Sequence, residues 1–392
     1  MSQDKSLSTS RMPQTIVYFI AVTGFGLVMS ALGPVLPDIA EQTQASLARI
    51  GILFTLRAIG ALLGSLLGGR IFDRLPGHPV MAVGMFVLAA SFALVPFIKS
   101  FVLLLLLGLL MGLAGAVLLV GANTLLVWVR ADNVGPWMSG MSFFNGMGGF
   151  FAPIVIASFL SITGKFNGAF GVMGLLLVAA GVWMLFVPSP PIRKTEAAPG
   201  SAGRIPYGLV LVFALIFLLY GGAEISFSSW LYTFVVNLHP AAATVAVMLN
   251  SAFWLAMAAG RLLAIPISAR LRPRTILVID FAGGLLSLGI ILTMANSIPA
   301  LWVGTIGVGL FLASMFPVLL DFIDRRVKIN GMINGSFMAA ISIGAMVFPW
   351  LSGVVFESNG PKATMLVVLL SLLSAALISG AMMRVPHAQK TE

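Results

Sequence analysis

Long apolar runs separated by short polar segments recur along the whole chain. A helix needs about 20 mainly apolar residues to cross the hydrocarbon core of a bilayer, and twelve runs reach that length. The predicted spans are residues 14–37, 47–71, 79–98, 101–128, 136–162, 168–188, 207–236, 243–267, 275–296, 298–323, 330–356 and 362–384. The pattern therefore predicts an all-α membrane protein with twelve transmembrane helices.

Composition supports the membrane interpretation and narrows the chemistry. The chain is 59% hydrophobic and 9% charged, with a mean hydropathy of +1.06, which is outside the range of water-soluble domains. It has no cysteine, which excludes disulfides, thiol nucleophiles and thiolate metal sites. His78, His239 and His387 fall in predicted loops or the tail, so no paired ligands and no nucleophile beside a base are apparent. We expect no metal, no cofactor and no enzymatic activity.

The formal charge of +10 follows a topological pattern. If the N-terminus is cytoplasmic, most Lys and Arg residues fall in cytoplasmic loops, as the positive-inside rule requires. Only Arg49, Lys99, Lys165 and Lys362 fall on the other side. We therefore expect the lipid bilayer of the cytoplasmic (inner) membrane, rather than nucleic acid, as the partner. Both termini are predicted to be cytoplasmic.

A segment rich in Pro, Gly and small polar residues separates six spans from six. It reads PSPPIRKTEAAPGSAGRIP at residues 188–206 and is typical of a linker. The predicted division is an N-terminal six-helix bundle at 1–188, a cytoplasmic linker at 189–206 and a C-terminal six-helix bundle at 207–392. Two such bundles in one chain are compatible with a monomer.

The two halves are similar to each other in sequence. An offset of 196 residues superposes five positions: Gly108 on Gly304, Gly135 on Gly331, Gly148 on Gly344, Pro153 on Pro349, and Arg74 on Arg270. The halves are therefore predicted to be pseudo-symmetric and parallel. Transporters with this plan hold their solute near the bilayer midplane, between the halves.

Charged side chains inside predicted spans are the first candidates for function, because charge in hydrocarbon is costly. Glu224 lies near the middle of span seven, in YGGAEISFSSWLYTF at residues 220–234. Arg57 in span two and Arg261 in span eight are the cations at comparable depth. We expect Glu224 to pair with one of them and to face a cavity, since an isolated buried ion is unfavourable by several kcal/mol.

Uncharged polar residues extend the candidate binding site. Asn250, Trp254 and Arg261 are spaced by four and seven residues, which places them on one helical face. Amide and guanidinium groups beside an aromatic ring suit hydroxylated solutes such as sugars. Asn123 and Asn145 are predicted to face the same cavity, with interhelical hydrogen bonding as an equally weighted alternative. For Asp280, near the start of span nine, a structural role is favoured.

The loop between spans two and three carries a family motif. The segment GGRIFDRLPGH at residues 68–78 resembles the Gly-x-x-x-Asp-Arg signature of the major facilitator superfamily, with Gly69, Asp73 and Arg74 in the matching positions. The resemblance implies a latch between the halves on the cytoplasmic side. Asp73 and Arg74 are then gate residues, and Arg130 at the inner end of span four is the expected partner of Asp73.

Three segments resemble one branch of that superfamily. They are YGGAEISFSSWLYTF, NSAFWLAMAAGRLLAIPISARLRP at 250–273 and GTIGVGLFLASMFPVLL at 304–320. They are similar to the fucose permease, the glucose/mannose symporters and the animal sodium-dependent glucose transporters. The resemblance implies secondary active transport of a small polar solute, with a sugar expected, by alternating access coupled to H⁺ or Na⁺.

The chain departs from the fucose permease at that protein's proton-coupling positions. It has no acidic residue between Gln14 and Pro37 of span one, and span four has Asn123. Glu224 is therefore the remaining candidate to carry a coupling proton or sodium ion.

Two other functions are considered. One is an efflux antiporter for drugs or metabolites, since Pro153 in a Gly-rich span five loosely resembles the antiporter motif, although Ala152 replaces its glycine. The other is a membrane sensor or scaffold. It is disfavoured because the chain lacks a soluble output domain.

Overall fold

The computed structural model describes residues 3–131, 134–192, 207–326 and 331–384, with the side chains of 3–10 and 331–332 excepted. Most of the proposed linker and the last eight residues lie outside this part of the chain. Within it there are fourteen α-helices and no strands, and these helices make twelve spans long and apolar enough to cross a membrane. The all-α prediction with twelve spans is confirmed.

The helices follow the predicted runs closely. Their bounds are α1 Gln3–Ala31, α2 Leu36–Gln42, α3 Leu47–Phe72, α4 Gly77–Leu94, α5 Phe101–Val129, α6 Val134–Thr163, α7 Asn167–Phe186, α8 Tyr207–Leu238, α9 Ala243–Arg270, α10 Pro273–Thr293, α11 Ile298–Ala313, α12 Met315–Asp324, α13 Gly331–Asn359 and α14 Pro361–Arg384. Serines cap the starts of three of them, where Ser46, Ser100 and Ser297 accept backbone N–H groups that have no intrahelical partner.

Two spans are broken by proline. In the first span, α1 ends at Ala31, and a 3₁₀ turn at Gly33–Val35 precedes α2. In the tenth span, Ser314 separates α11 from α12. Pro317 explains the second break, because a proline has no N–H to donate to the carbonyl four residues earlier, here that of Ala313. The apolar pattern predicted neither break.

Each half of the chain has its own apolar core. One cluster of buried side chains runs from Val17 to Val187, and the other from Val210 to Ala375. The halves meet chiefly through two helix pairs, α3 with α13 and α6 with α9, and the turn at Gly33–Val35 also contacts α8 and α9. Large apolar side chains are left exposed on the outward faces of α7 and α10, with Phe186 80% and Leu286 68% exposed. A lipid environment suits such surfaces, which would be unfavourable in water.

Helices in equivalent positions pack in equivalent ways. Pro153 lies inside α6 and Pro349 inside α13. A Cβ atom on Gly148 of α6 would collide with the backbone carbonyl of Thr23 in α1, and one on Gly344 of α13 would collide with that of Leu218 in α8. The contact of α1 with α6 thus recurs as that of α8 with α13, in agreement with the internal repeat.

Positive charge is concentrated at one end of the bundle, which we call the basic end. Its described residues include Arg70, Arg74, Arg130, Arg270, Arg272, Arg274 and Arg325. The other end carries Glu41, Arg49, Lys99, Glu357 and Lys362 and is called the opposite end.

Candidate functional site

A cavity of about 630 Å³ lies between the halves and extends from the middle of the spans toward the basic end. This volume is within the range of small-molecule sites. Its walls come from both halves. The lining residues are Leu119, Met138, Ser139, Ser142, Tyr220, Glu224, Arg261, Leu262, Ala264, Ile265, Ser268, Ala313, Phe316, Pro317 and Ile341.

Glu224 and Arg261 are the charged groups among the lining residues, and both are partly exposed to the cavity. They attract each other electrostatically. Among the described residues, an N–O distance within 4.0 Å joins Arg325 to Asp321 but does not join Arg261 to Glu224. The carboxylate and the guanidinium therefore keep hydrogen-bonding capacity for a bound solute.

Tyr220 connects the carboxylate to the break in the tenth span. It precedes Glu224 by one helical turn, so that both side chains project from the same face of α8. Its hydroxyl donates a hydrogen bond of 3.3 Å to the carbonyl oxygen of Leu312 and also interacts with the Glu224 carboxylate. One hydroxyl proton can serve only one of these acceptors at a time. A change in the charge or position of Glu224 should therefore alter the hydrogen bond between Tyr220 and Leu312, near the end of α11.

The rest of the wall combines hydroxyls with apolar surface. Ser139 and Ser142 face the cavity from α6, and Ser268 faces it from α9. Phe316 and Ile341 supply aromatic and aliphatic surface. This mixture suits a solute that has hydroxyl groups on a carbon skeleton.

Arg57 does not line this cavity. Its side chain is 5% exposed and donates to the carbonyls of Val28 (3.2 Å) and Met29 (3.4 Å), near the end of α1. The guanidinium also lies 5.1 Å from the ring centroid of Phe54. It therefore satisfies carbonyls beside the break in the first span, whereas Arg261 is the cation that lines the cavity together with Glu224, without an N–O distance within 4.0 Å.

The four remaining candidates are also absent from the cavity lining. Asn250 is fully buried and donates 2.8 Å to the carbonyl of Ser228. Trp254 is 4% exposed, and its ring packs against Gly149 of α6. Asn123 and Asn145 are half-buried on α5 and α6. Asn250 and Trp254 thus share a helical face with Arg261, as predicted, but at a depth where the halves are in contact.

The predicted gate residues are separated in this structure. Asp73 and Arg74 are exposed. Arg130 donates 3.0 Å to Thr15 Oγ1 and stacks 4.0 Å from the ring centroid of Trp137. Burial of its guanidinium, followed by repulsion from Arg11, lowers the pKa of Arg130. The structure therefore does not bring Arg130 to Asp73, in agreement with a basic end that is open.

The opposite end is closed by contacts between the halves. Thr55 of α3 donates 2.7 Å to the carbonyl of Met346 in α13, and the N–H of Ala48 donates 2.9 Å to Glu357 Oε1. A Cβ on Gly353 would lie 3.0 Å from the carbonyl oxygen of Leu47. In the part of the chain that the structure describes, the cavity is thus closed toward the opposite end.

Several buried polar atoms at this closed end have no hydrogen-bond partner among the described residues. They are Ser229 Oγ, Thr233 Oγ1, Asn250 Oδ1, Ser251 Oγ and Trp254 Nε1. All belong to α8 and α9, in the halves of these helices that are farther from the basic end.

Sequence reasoning missed Tyr220, the three serines and Phe316. Only Tyr220 had a usable signal, which was its spacing of four residues from Glu224. Among the described residues, His, Asp and Glu side chains form no group of three or more that could hold a metal ion.

The sequence profile of the Major Facilitator Superfamily matches residues 18–349. The chain is 27% identical to the sodium-dependent glucose transporter 1A of Mus musculus, over 92% of this chain and 93% of that protein. It is 29% identical to the sodium-dependent glucose transporter 1 of Xenopus laevis, over 82% and 72%. It is 26% identical to the human major facilitator superfamily domain-containing protein 4A, over 88% and 87%.

The fold is also found among solved structures. A variant of the nucleoside transporter NupG superposes with a TM-score of 0.80 at 16% identity, covering 95% of this chain and all of that one. A second NupG structure gives a TM-score of 0.72 at 18% identity. At these identities the similarity concerns the fold alone.

Proposed function

Because the chain belongs to the Major Facilitator Superfamily and is a multi-pass membrane protein, we propose that it carries a small polar solute, a sugar, by alternating access. The observation that supports this most strongly is the cavity between the halves, which holds Glu224, Tyr220 and Arg261 and opens toward one end. The relatives named as sodium-dependent glucose transporters favour a sugar as the solute and sugar uptake over drug export. The superfamily and these relatives are transporters, so we assign no catalytic residue.

Each group in the cavity has a role in this proposal. Glu224 accepts hydrogen bonds from solute hydroxyls, and Arg261 donates to solute oxygens. Phe316 and Ile341 cover the C–H face. Asn250 and Trp254 belong to the contact that must separate when the opposite end opens. Asn123 and Asn145 act between helices.

The same proposal covers sidedness and assembly. By the positive-inside rule the basic end is cytoplasmic, which places both termini in the cytoplasm and makes the present state inward-open. Asp73, Arg74 and Arg130 would close that end in the alternate state, after Arg130 leaves Trp137. The two bundles, 1–188 and 207–392, form the pathway in one polypeptide, so a monomer suffices in the cytoplasmic membrane. The coupling ion is H⁺ or Na⁺, and the names of the relatives favour Na⁺.

Transport assays on purified protein in proteoliposomes test this function. Glucose, mannose, fucose, a nucleoside and a cationic drug would each be offered under a sodium gradient, a proton gradient and no gradient. We expect one hexose to accumulate under a single cation gradient and to exchange without one. Movement of the drug alone, with no sugar exchanged, would refute the proposal.

The two membrane arginines should respond differently to the same substitution. Arg261→Gln removes a charged donor from the cavity wall, and loss of such hydrogen bonds weakens solute affinity about 10- to 100-fold. Arg57→Gln changes a group that contacts α1 carbonyls outside the cavity, so affinity should stay within about threefold. Solute binding to each purified variant, measured by calorimetry, tests both. An equal loss of solute affinity in the two variants would indicate that Arg57 also contributes to the binding site.

A further inference from the structure

Asp280 is a buried carboxylate that does not line the solute cavity. It lies in the second turn of α10 with 5% exposure, and α10 contributes no cavity-lining residue. Its Oδ2 accepts a hydrogen bond of 2.7 Å from Ser314 Oγ. Ser314 is the residue at which the tenth span is broken. The carboxylate therefore lies against a helix break, behind the cavity wall.

Asp280 and Glu224 differ in whether a cationic side chain of the protein lies near the carboxylate. The charge of Glu224 is compensated by Arg261 across the cavity. In the described part of the chain, no Lys or Arg nitrogen lies within 4.0 Å of the Asp280 carboxylate, and its hydrogen-bond partner is a neutral hydroxyl. An uncompensated carboxylate at membrane depth is unfavourable by several kcal/mol. A small cation bound at Asp280 removes this cost.

The helices packed against α10 place no other charge near Asp280. These helices are α11, α12 and α14. The first has no ionisable residue, and the charged side chains of the others lie near their ends: Asp321, Asp324, Lys362 and Arg384. From α8, the hydroxyl of Tyr220 is the titratable group that interacts with Asp280. Among the described residues, the charges on these helices therefore do not compensate Asp280, which leaves this role to an external cation.

The break beside Asp280 supplies oxygen atoms that suit such a cation. Pro317 leaves the Ala313 carbonyl without its usual intrahelical N–H. The Asp280 carboxylate and the Ser314 hydroxyl, 2.7 Å apart, are hard oxygen donors of the kind that alkali cations prefer, and Ala313 is the residue next to Ser314 in the chain. A proton needs only the carboxylate, with Ser314 as its hydrogen-bond partner.

The same break connects Asp280 to the solute. Ala313, Phe316 and Pro317, which flank Ser314, line the cavity. Leu312, two residues before Ser314, offers its carbonyl to Tyr220, which also contacts Glu224. A cation that changes the position of Ser314 would thus move the cavity wall and the hydroxyl bound to Glu224.

We propose that Asp280 and Ser314 form a cation site, separate from the solute cavity, which takes up the sodium ion or proton that drives transport. This inference rests on the proposed function, because it assigns the coupling ion of that function to a place. Glu224 then faces the cavity together with Arg261 and serves the solute.

The test uses thermal stability of the purified full-length protein in detergent, which requires no identified solute. Melting is compared in sodium chloride and in choline chloride at equal ionic strength, between pH 5 and pH 8. We expect Asp280→Asn to remove the response of the wild type to whichever cation binds: the sodium shift if it is sodium, the pH dependence if it is the proton. The control Asp321→Asn neutralises an exposed carboxylate of α12 and should keep the wild-type response.

A second variant retains the carboxylate and protects the test against misfolding. Ser314→Ala should weaken the apparent affinity for the cation about tenfold, because one ligand or hydrogen-bond partner is lost. If Asp280→Asn does not fold, the cation affinity of Ser314→Ala tests the proposed site instead. The proposal would be overturned if Asp280→Asn responded to sodium and to pH as the wild type does. It would also be overturned if Ser314→Ala bound the cation with unchanged affinity.

Transport assays distinguish an error in the proposed cation site from an error in the proposed transport function. In proteoliposomes, Asp280→Asn should lose gradient-driven accumulation and keep exchange of the solute. If no solute is exchanged even by the wild type, the proposed function fails, whereas the cation response in melting still tests Asp280.

Discussion

Glu224→Gln is expected to abolish concentrative uptake while the protein remains folded. The substitution conserves shape but removes the charge that faces Arg261 and the acceptor that Tyr220 contacts. A charge-assisted hydrogen bond contributes about 1.5–3 kcal/mol, so solute affinity should fall about 10- to 100-fold. The amide also offers an N–H to the Tyr220 hydroxyl oxygen, which would keep the hydroxyl proton on the Leu312 carbonyl. The measurement is uptake into proteoliposomes, with binding measured separately.

Glu41→Gln provides the matched control for this variant. Glu41 is an exposed glutamate of α2 at the opposite end, away from the cavity. Its replacement changes the net charge by the same amount and should leave uptake near the wild-type rate. Undiminished accumulation by Glu224→Gln, with normal accumulation by the control, would exclude Glu224 from both binding and coupling.

Gly353→Leu is expected to hold the opposite end open and to stop transport. Gly353 of α13 faces the backbone of α3, where a Cβ would lie 3.0 Å from the Leu47 carbonyl oxygen and 3.0 Å from Trp230 Cζ2. A leucine does not fit while these helices are in contact. Overpacking of this kind costs about 1–3 kcal/mol, enough to shift a two-state equilibrium about 5- to 150-fold away from the closed arrangement. Solute binding should survive, because Gly353 is outside the cavity.

Thiol labelling can report this shift directly, because the chain contains no cysteine. A single cysteine at Ser268, on the cavity wall near the basic end, should react with a water-soluble maleimide in the parent protein and more slowly when Gly353→Leu is added. The control is Gly171→Leu, since a Cβ on that glycine of α7 meets no atom within 4 Å. Equal labelling rates in all three proteins would contradict the assignment of α3 and α13 as the closing contact.

The spans were predictable because hydrocarbon imposes a simple rule on every residue that faces it. Glu224 and Arg261 were predictable for the same reason, since a charge in an apolar run is conspicuous. Tyr220 and the serines were not, because hydroxyl groups are tolerated throughout helical membrane proteins. Helical spacing placed Asn250 and Trp254 on the same face as Arg261, yet seven residues correspond to about 10 Å along the axis. Which part of that face is open depends on the contact between halves, which no local pattern encodes.

Arg57 shows a different limit of sequence reasoning. Its charge and depth suggested an acidic partner, whereas its hydrogen bonds go to α1 carbonyls near the break at Gly33–Val35. A sequence does not show which backbone carbonyls are free to accept hydrogen bonds unless the helix break that frees them can be predicted. Asp280 differs from Arg57 in the opposite direction. Its position near the start of span nine suggested a structural role, and only its tertiary surroundings show that no described cation compensates its charge.

The unpartnered polar atoms at the closed end have a consequence for the energy of the whole cycle. Each buried polar atom that lacks a protein partner is unfavourable by about 1–3 kcal/mol, and water can supply the hydrogen bond if the helices part. The contact at the opposite end therefore carries an energetic cost that is relieved when that end opens. The direction of net flow is then left to the gradients on the two sides.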